Sequence, residues 1–202
     1  MSLTIIVYHY VRDLERSRYP RIKGRRLSDF RAQLDHISRA FTVVNTEQIV
    51  AALKGFGGLP DNAAWLTFDD GYIDHYTNVF PLLHERGWQG SFFPPADPVL
   101  YGELLDVNKI HFILAAQPDT SIILAKLKQL LSDYQGRPGV KTFDEYWLEL
   151  SREPDVYDTP EVGFIKRLLQ RSLPKKIRAE LTQFLFLSYV SVKGIRRGTI
   201  YV

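Results

Sequence analysis

The order of strand-like and helix-like runs constrains this chain most. Through residue 98 the two alternate, and from Tyr101 to Val190 only helical patterns occur. The apolar β-rich runs are residues 3–8, 41–44, 63–68 and 91–93. Between them lie amphipathic helical stretches. One is capped by Ser28 and buries Phe30, Leu34 and Ile37; a second is capped by Thr46 and runs through Ile49, Val50 and Leu53; a third holds Val79, Leu82 and Leu83 and ends near Gly87. Strands alternating with helices across short loops predict an α/β fold with a mostly parallel sheet. The first run is continuous in apolar residues, so it reads as a buried strand. Residues 12–26 read as a polar loop with seven basic side chains.

The second half predicts helices over residues 104–115 and 122–134, the latter stopped by Gly136-Arg137-Pro138-Gly139. Thr142 with Glu145 is a capping-box signature. Thr159-Pro160 places proline at a first helical position, and Pro174 opens a last helix with Ile177, Leu181, Phe184 and Leu185 on one face. Residues 193–202 fit neither half, and the expected boundaries are 1–100, 101–192 and an atypical tail at 193–202.

With 202 residues, 45% of them hydrophobic, the chain can bury a substantial core. It has no cysteine, which excludes disulfides and thiolate zinc sites. No run is long and apolar enough to cross a bilayer and no signal peptide opens the chain, so the expected location is the cytoplasm. The net charge of +3 is uneven: residues 159–202 carry nine Lys or Arg against Glu161 and Glu180. These basic residues interleave with apolar ones at helical spacing. They read as solvated helix faces in preference to a surface for an anionic polymer, and no nucleic-acid partner is expected.

The chemistry-bearing feature is Thr67-Phe68-Asp69-Asp70-Gly71. Two carboxylates follow an apolar strand, at the edge where parallel sheets place their sites. One carboxylate can hold a metal while its neighbour acts as a base. A D-G hairpin turn is the bland alternative, disfavoured because a helix and not a return strand follows. A magnesium-dependent phosphohydrolase is the other enzymatic reading. His9 follows the first strand, so a parallel sheet brings it to the edge of Asp69, as a ligand, a partner of an aspartate, or a buried histidine. His75 and His84 face different sides of one helix; His36 reads as a surface residue and His111 as structural.

Three segments together resemble the polysaccharide deacetylases, the NodB-homology domain of carbohydrate esterase family 4. They are Val7-Tyr8-His9-Tyr10-Val11, Leu66-Thr67-Phe68-Asp69-Asp70-Gly71-Tyr72 and Gly87-Trp88-Gln89-Gly90-Ser91-Phe92-Phe93. The likeness covers about residues 3–98, and the helical stretch is similar to an insertion in some bacterial members. The resemblance implies a distorted (β/α) barrel. It implies Asp69 as general base and Asp70 as ligand of a divalent metal, most often zinc. His9 and Tyr72 become site neighbours, with a backbone N–H near Tyr72 steadying the oxyanion. The implied reaction removes N-acetyl or O-acetyl groups from a carbohydrate.

One departure is large. The family's other two metal ligands come from a His-x-x-x-His pair, and the histidines here are 9, 36, 75, 84 and 111, no two of them four apart. The arginine-proline segment and the Leu-x-His bearing the general acid are also missing. Four strands cannot close a barrel. The resemblance therefore implies an incomplete (β/α) barrel, truncated before the histidine pair and followed by a helical insertion. The chain is expected to be weakly active or inactive, with a non-catalytic saccharide-binding or interaction fragment as the alternative. An exposed sheet edge further suggests a homodimer.

Overall fold

The computed structural model describes residues 2–190, so the expectations for residues 193–202 lie outside the described residues. The chain divides between Glu103 and Leu104 into two compact units.

The first unit holds an open parallel sheet of four strands. They are β1 (Leu3–Tyr8), β4 (Thr42–Val43), β5 (Ala63–Asp69) and β6 (Ser91–Phe93). β5 is central. β1 pairs along one side of it, from Leu3 opposite Ala63 to Tyr8 opposite Phe68. β4 and β6 share the other side: β4 meets Ala63 and Ala64, and β6 meets Thr67 to Asp69. A two-residue parallel pair, β2 (Val11–Arg12) with β3 (Arg25–Arg26), lies within the predicted polar loop. Its anchor is Arg25 N–H donating to the Tyr10 carbonyl at 2.8 Å, a backbone contact that composition does not signal. This open parallel sheet, packed by the helices Leu27–Ala40 and Phe80–His84 on one face and by Ile49 at the Ala63 end of the other, agrees with the incomplete barrel expected from the sequence.

Side chains alternate across a strand, which gives the sheet two unlike faces. Tyr8, Leu66 and Phe68 point to one face and pack with Phe30, Leu34 and Ile37 of α1 (Leu27–Ala40) and with Val79, Leu82 and Leu83. Ile5 and Val7 point to the other, and each is 53% exposed. The expectation of a buried first strand is thus wrong for that face. Among the described residues β1 pairs only with β5, and Ile5 and Val7 stay half exposed.

Local signals explain most element boundaries. α1 starts one residue before Ser28; its N-cap is Arg26, without a side-chain cap bond. α2 (Thr46–Leu53) is capped by Asn45 and not by Thr46, because Asn45 is the extended residue whose carboxamide accepts from Gln48 N–H while Gln48 reaches back. A π-helical turn (His75–Val79) precedes α3 (Phe80–His84). Pro81 cannot donate a helical bond, and the wide turn sits just before it. After Pro94 the chain forms α4 (Ala96–Tyr101), which no sequence pattern announced, closed by Gly102 in the left-handed region.

The second unit is helical: α5 (Asp106–Ala116), α6 (Thr120–Ser132), α7 (Phe143–Leu150), α8 (Pro160–Arg167), a π-helical turn (Leu168–Ser172) and α9 (Lys175–Tyr189). Thr142 and Glu145 form the predicted capping box, and Thr159 caps α8 with Pro160 in its first turn. Ile110, Ile123, Leu127, Phe164, Leu168 and Leu185 are fully buried. One basic residue departs from the solvated-face reading. Arg167 is buried, pairs with Glu153 and Asp155, and donates to the Leu150 carbonyl. Among the described residues no helix is long and apolar enough to cross a membrane.

Candidate functional site

β5 delivers Asp69 as its last residue, and the chain then turns sharply. Asp70 has φ 73° and Gly71 φ 62°, both in the left-handed region. Aspartate tolerates that region better than most residues, at a cost of about 1 kcal/mol or more. Gly71 admits no substitute at that spot, because a Cβ there would stand 2.7 Å from Pro94 Cβ and 3.1 Å from Pro94 Cα. Asp70 N–H donates to the Phe93 carbonyl at 3.1 Å, which ties the turn to the end of β6. This is a strand-to-helix turn, and the D-G hairpin alternative is excluded.

Tyr72 fixes the Asp70 carboxylate. Its hydroxyl donates to Asp70 Oδ2 at 2.6 Å, and its buried ring stacks on Tyr10 at 3.9 Å. Burial, first of all, raises the Tyr72 pKa, so the phenol stays protonated as a donor. His9 stands on the other side of the same carboxylate, Nδ1 3.6 Å from Asp70 Oδ2. That distance is an electrostatic approach and not a hydrogen bond. The His9 side chain is 58% exposed, so the buried-histidine alternative is overturned. The parallel register of β1 on β5 puts His9 there, one residue beyond the Tyr8–Phe68 pair.

Several supporting residues carried no sequence signal. His75 is buried and its Nε2–H donates to the His9 carbonyl at 2.9 Å. Arg12 Nε donates to Asp74 Oδ2 at 2.7 Å, with both side chains largely buried, and the guanidinium lies over the Tyr10 ring. Asn78 Nδ2 donates to the Val11 carbonyl at 2.8 Å. These three contacts clamp residues 9–12 onto the turn after β5 and so hold His9 beside Asp70. Burial raises the Asp74 pKa, opposed by the Arg12 charge, and burial lowers that of His75. Only the pairing of distant residues reveals this clamp, and one sequence does not show pairing.

The remaining histidines do not converge on the carboxylates. His36 and His84 are exposed on α1 and at the end of α3, and His111 belongs to the second unit. Among the described residues no three His, Cys, Asp or Glu side chains are grouped as a metal site requires. Asp70 and His9 provide two donors, whereas zinc sites take three or four protein ligands. These residues do not by themselves fit a tightly held metal ion. Asp69 and Asp70 nonetheless place two carboxylates at the open end of the sheet, with a hydrogen-bond donor on one and an imidazole nearby.

No protein-family model matches the chain. A search of curated proteins finds the poly-β-1,6-N-acetyl-D-glucosamine N-deacetylases of Escherichia coli strain K12 and of Escherichia coli O157:H7. Each is 40% identical over 77 residues, covering 34% of this chain and 11% of the relative. Among solved structures, a de-N-acetylase from Aggregatibacter actinomycetemcomitans matches at 27% identity and TM-score 0.41, over 46% of this chain and 37% of the other. IcaB from Ammonifex degensii matches at 29% identity and TM-score 0.39, over 48% and 42%. The Streptococcus pyogenes deacetylase PplD matches at 17% identity and TM-score 0.43, over 63% and 65%.

The sequence match gives the class to which part of the chain is similar: over 77 residues it resembles polysaccharide N-deacetylases, and those relatives are carbohydrate deacetylases, hydrolases of carbon–nitrogen bonds. The chain spans 11% of the length of the curated relatives it matches.

Proposed function

We propose that this chain provides the carboxylate half of a carbohydrate N-deacetylase centre. Asp69 is the general base that takes a proton from the attacking water. Asp70, steadied by Tyr72, is one of the protein ligands of a divalent metal such as zinc, with His9 as its neighbour. A metal in such a centre would polarise the acyl carbonyl and acidify water. The observation that carries the reading is the Asp69-Asp70-Gly71 turn, in which Asp70 is held at positive φ with its carboxylate fixed between Tyr72 and His9. Strain of this kind at a strand end, in a chain matched to N-deacetylases, supports a site and not a simple turn.

The substrate that best suits the match is an N-acetylated amino-sugar polymer. With two candidate donors on the described residues, the chain alone is expected to turn over negligibly. The test is acetate release from β-1,6-linked N-acetylglucosamine oligomers with added zinc, comparing the native chain with Asp69→Asn. The expected result is release near background, with any residual activity abolished in the variant. Sustained turnover that survives Asp69→Asn would contradict the assigned role.

A further inference from the structure

Alternation along β5 puts Trp65, Thr67 and Asp69 on one face of the sheet, opposite the face that Leu66 and Phe68 share with α1. Parallel register extends that face to β6, where Phe93 is the partner of Asp69 and Ser91 that of Thr67. Side-chain contacts agree with the register. The Phe93 ring meets the Trp65 ring edge to face at 6.2 Å, and Trp65 Nε1–H donates to Ser91 Oγ at 2.7 Å. Phe92, the next residue back, stacks instead on Phe68 on the core side.

Phe93 is therefore an aromatic residue beside the candidate base. Neighbouring strands lie about 4.8 Å apart, and Phe93 and Asp69 are direct neighbours across that spacing. Its side chain is half exposed. Its backbone is fixed, because the Phe93 carbonyl accepts from Asp70 N–H at 3.1 Å, which joins β6 to the turn. The Trp65 edge limits the freedom of the ring, so little conformational entropy remains to be lost when a ligand packs on it.

We propose that Phe93 is a substrate-binding residue of the same centre, the platform for the sugar ring that bears the acetamido group. The inference rests on the deacetylase reading, which places the scissile amide at Asp69. A pyranose ring spans about one interstrand spacing, so with its acetamido group at Asp69 it overlies the next strand, where Phe93 stands. One face of such a ring presents C–H groups that pack on an aromatic face, while its hydroxyls stay at the rim in water. The carboxylate one strand away, and not the apolar character of the face, decides the occupant.

The test is binding of a β-1,6-linked N-acetylglucosamine trimer to the full chain, followed by NMR. The native chain is expected to bind with a dissociation constant on the order of 1 mM. Phe93→Ala should weaken binding roughly tenfold, and Phe93→Tyr, which keeps the ring, should stay within about twofold of the native value. Phe56→Ala, which removes an exposed ring from the segment after α2, should leave binding unchanged. In the native chain the Phe93 ring protons and the amides of residues 69–70 should shift together as trimer is added, a reading independent of how any variant folds. No binding at ~10 mM, unmoved Phe93 ring protons, or equal affinity in Phe93→Ala would each overturn the proposal, while acetate release in Asp69→Asn judges the deacetylase reading separately. Shifts at Phe93 without shifts at residues 69–70 would also overturn it, because the sugar would then lie away from the carboxylates. A second copy of the chain as occupant would show as altered sedimentation of Phe93→Ala with trimer binding unaltered, and would overturn it too.

Discussion

Asp70 and its neighbour His9 are held by three local devices, and each makes a measurable difference. Its positive φ depends on Gly71 following it in the same left-handed region. Gly71→Ala adds a Cβ that collides with Pro94 backbone and ring, so the turn must shift. A loss of about 2–3 kcal/mol is expected in urea unfolding. Tyr72→Phe removes the 2.6 Å bond to the Asp70 carboxylate. Because that carboxylate is partly exposed, the expected loss is nearer 1 kcal/mol, again by urea unfolding. The third device is the neutral His75 under the His9 carbonyl. Burial lowers the His75 pKa from its ordinary 6.5. An unfolded chain then binds a proton that the folded chain does not, so this contribution is full above about pH 6.5 and is lost as the pH falls below it. Thermal melts of the native chain should weaken over that range, and His75→Phe should flatten the dependence. A native melting profile that is level between pH 7 and pH 5 would contradict a buried neutral His75.

At the scale of elements, the sequence made the strand-delivered acids legible because two independent patterns agree there. The apolar run at residues 63–68 is long enough to be a central strand, and the glycine after the second acid permits the left-handed turn that ends it. His9 was legible for a related reason: once β1 and β5 are parallel, register alone brings it to the edge. The elements that escaped are those set by tertiary contact. β2 and β3 are two residues each and exist because Arg25 N–H meets the Tyr10 carbonyl, with Gly24 in close approach to Tyr10 Cβ. The buried Arg12–Asp74 pair joins residues 62 positions apart, and neither stands out in composition. Caps were read one residue late at Thr46 because Asn45 competes for the same role, and Asn45 has the extended backbone that a cap needs. Gly90 offers a check on the packing of β6 and α3. A Cβ there would meet Phe68 Cε2 at 2.8 Å and Leu83 Cδ1 at 2.9 Å. Gly90→Ala is therefore expected to cost about 1–3 kcal/mol by overpacking, measured by chemical denaturation.

At the scale of the whole chain, the first unit is a sheet covered by α1 and α3 on one face and by α2 at only one end of the other. Ile5, Val7 and Phe93 are each at least half exposed on the other face. Apolar side chains on an uncovered sheet favour association. The homodimer expected from the exposed sheet edge gives these side chains a test. Sedimentation velocity should show a concentration-dependent dimer, and Val7→Lys should shift it toward monomer. A strict monomer at high concentration with cooperative melting would count against the pairing. The central claim, however, is that Asp69, Asp70 and His9 form one part of a metal-dependent centre. It is tested most directly by adding manganese(II) as a paramagnetic probe and recording backbone NMR spectra of the native chain and of Asp70→Asn. The expected result is weak binding whose line broadening is confined to residues near His9 and 69–72 and disappears in the variant. Broadening centred elsewhere, or unchanged in Asp70→Asn, would contradict it.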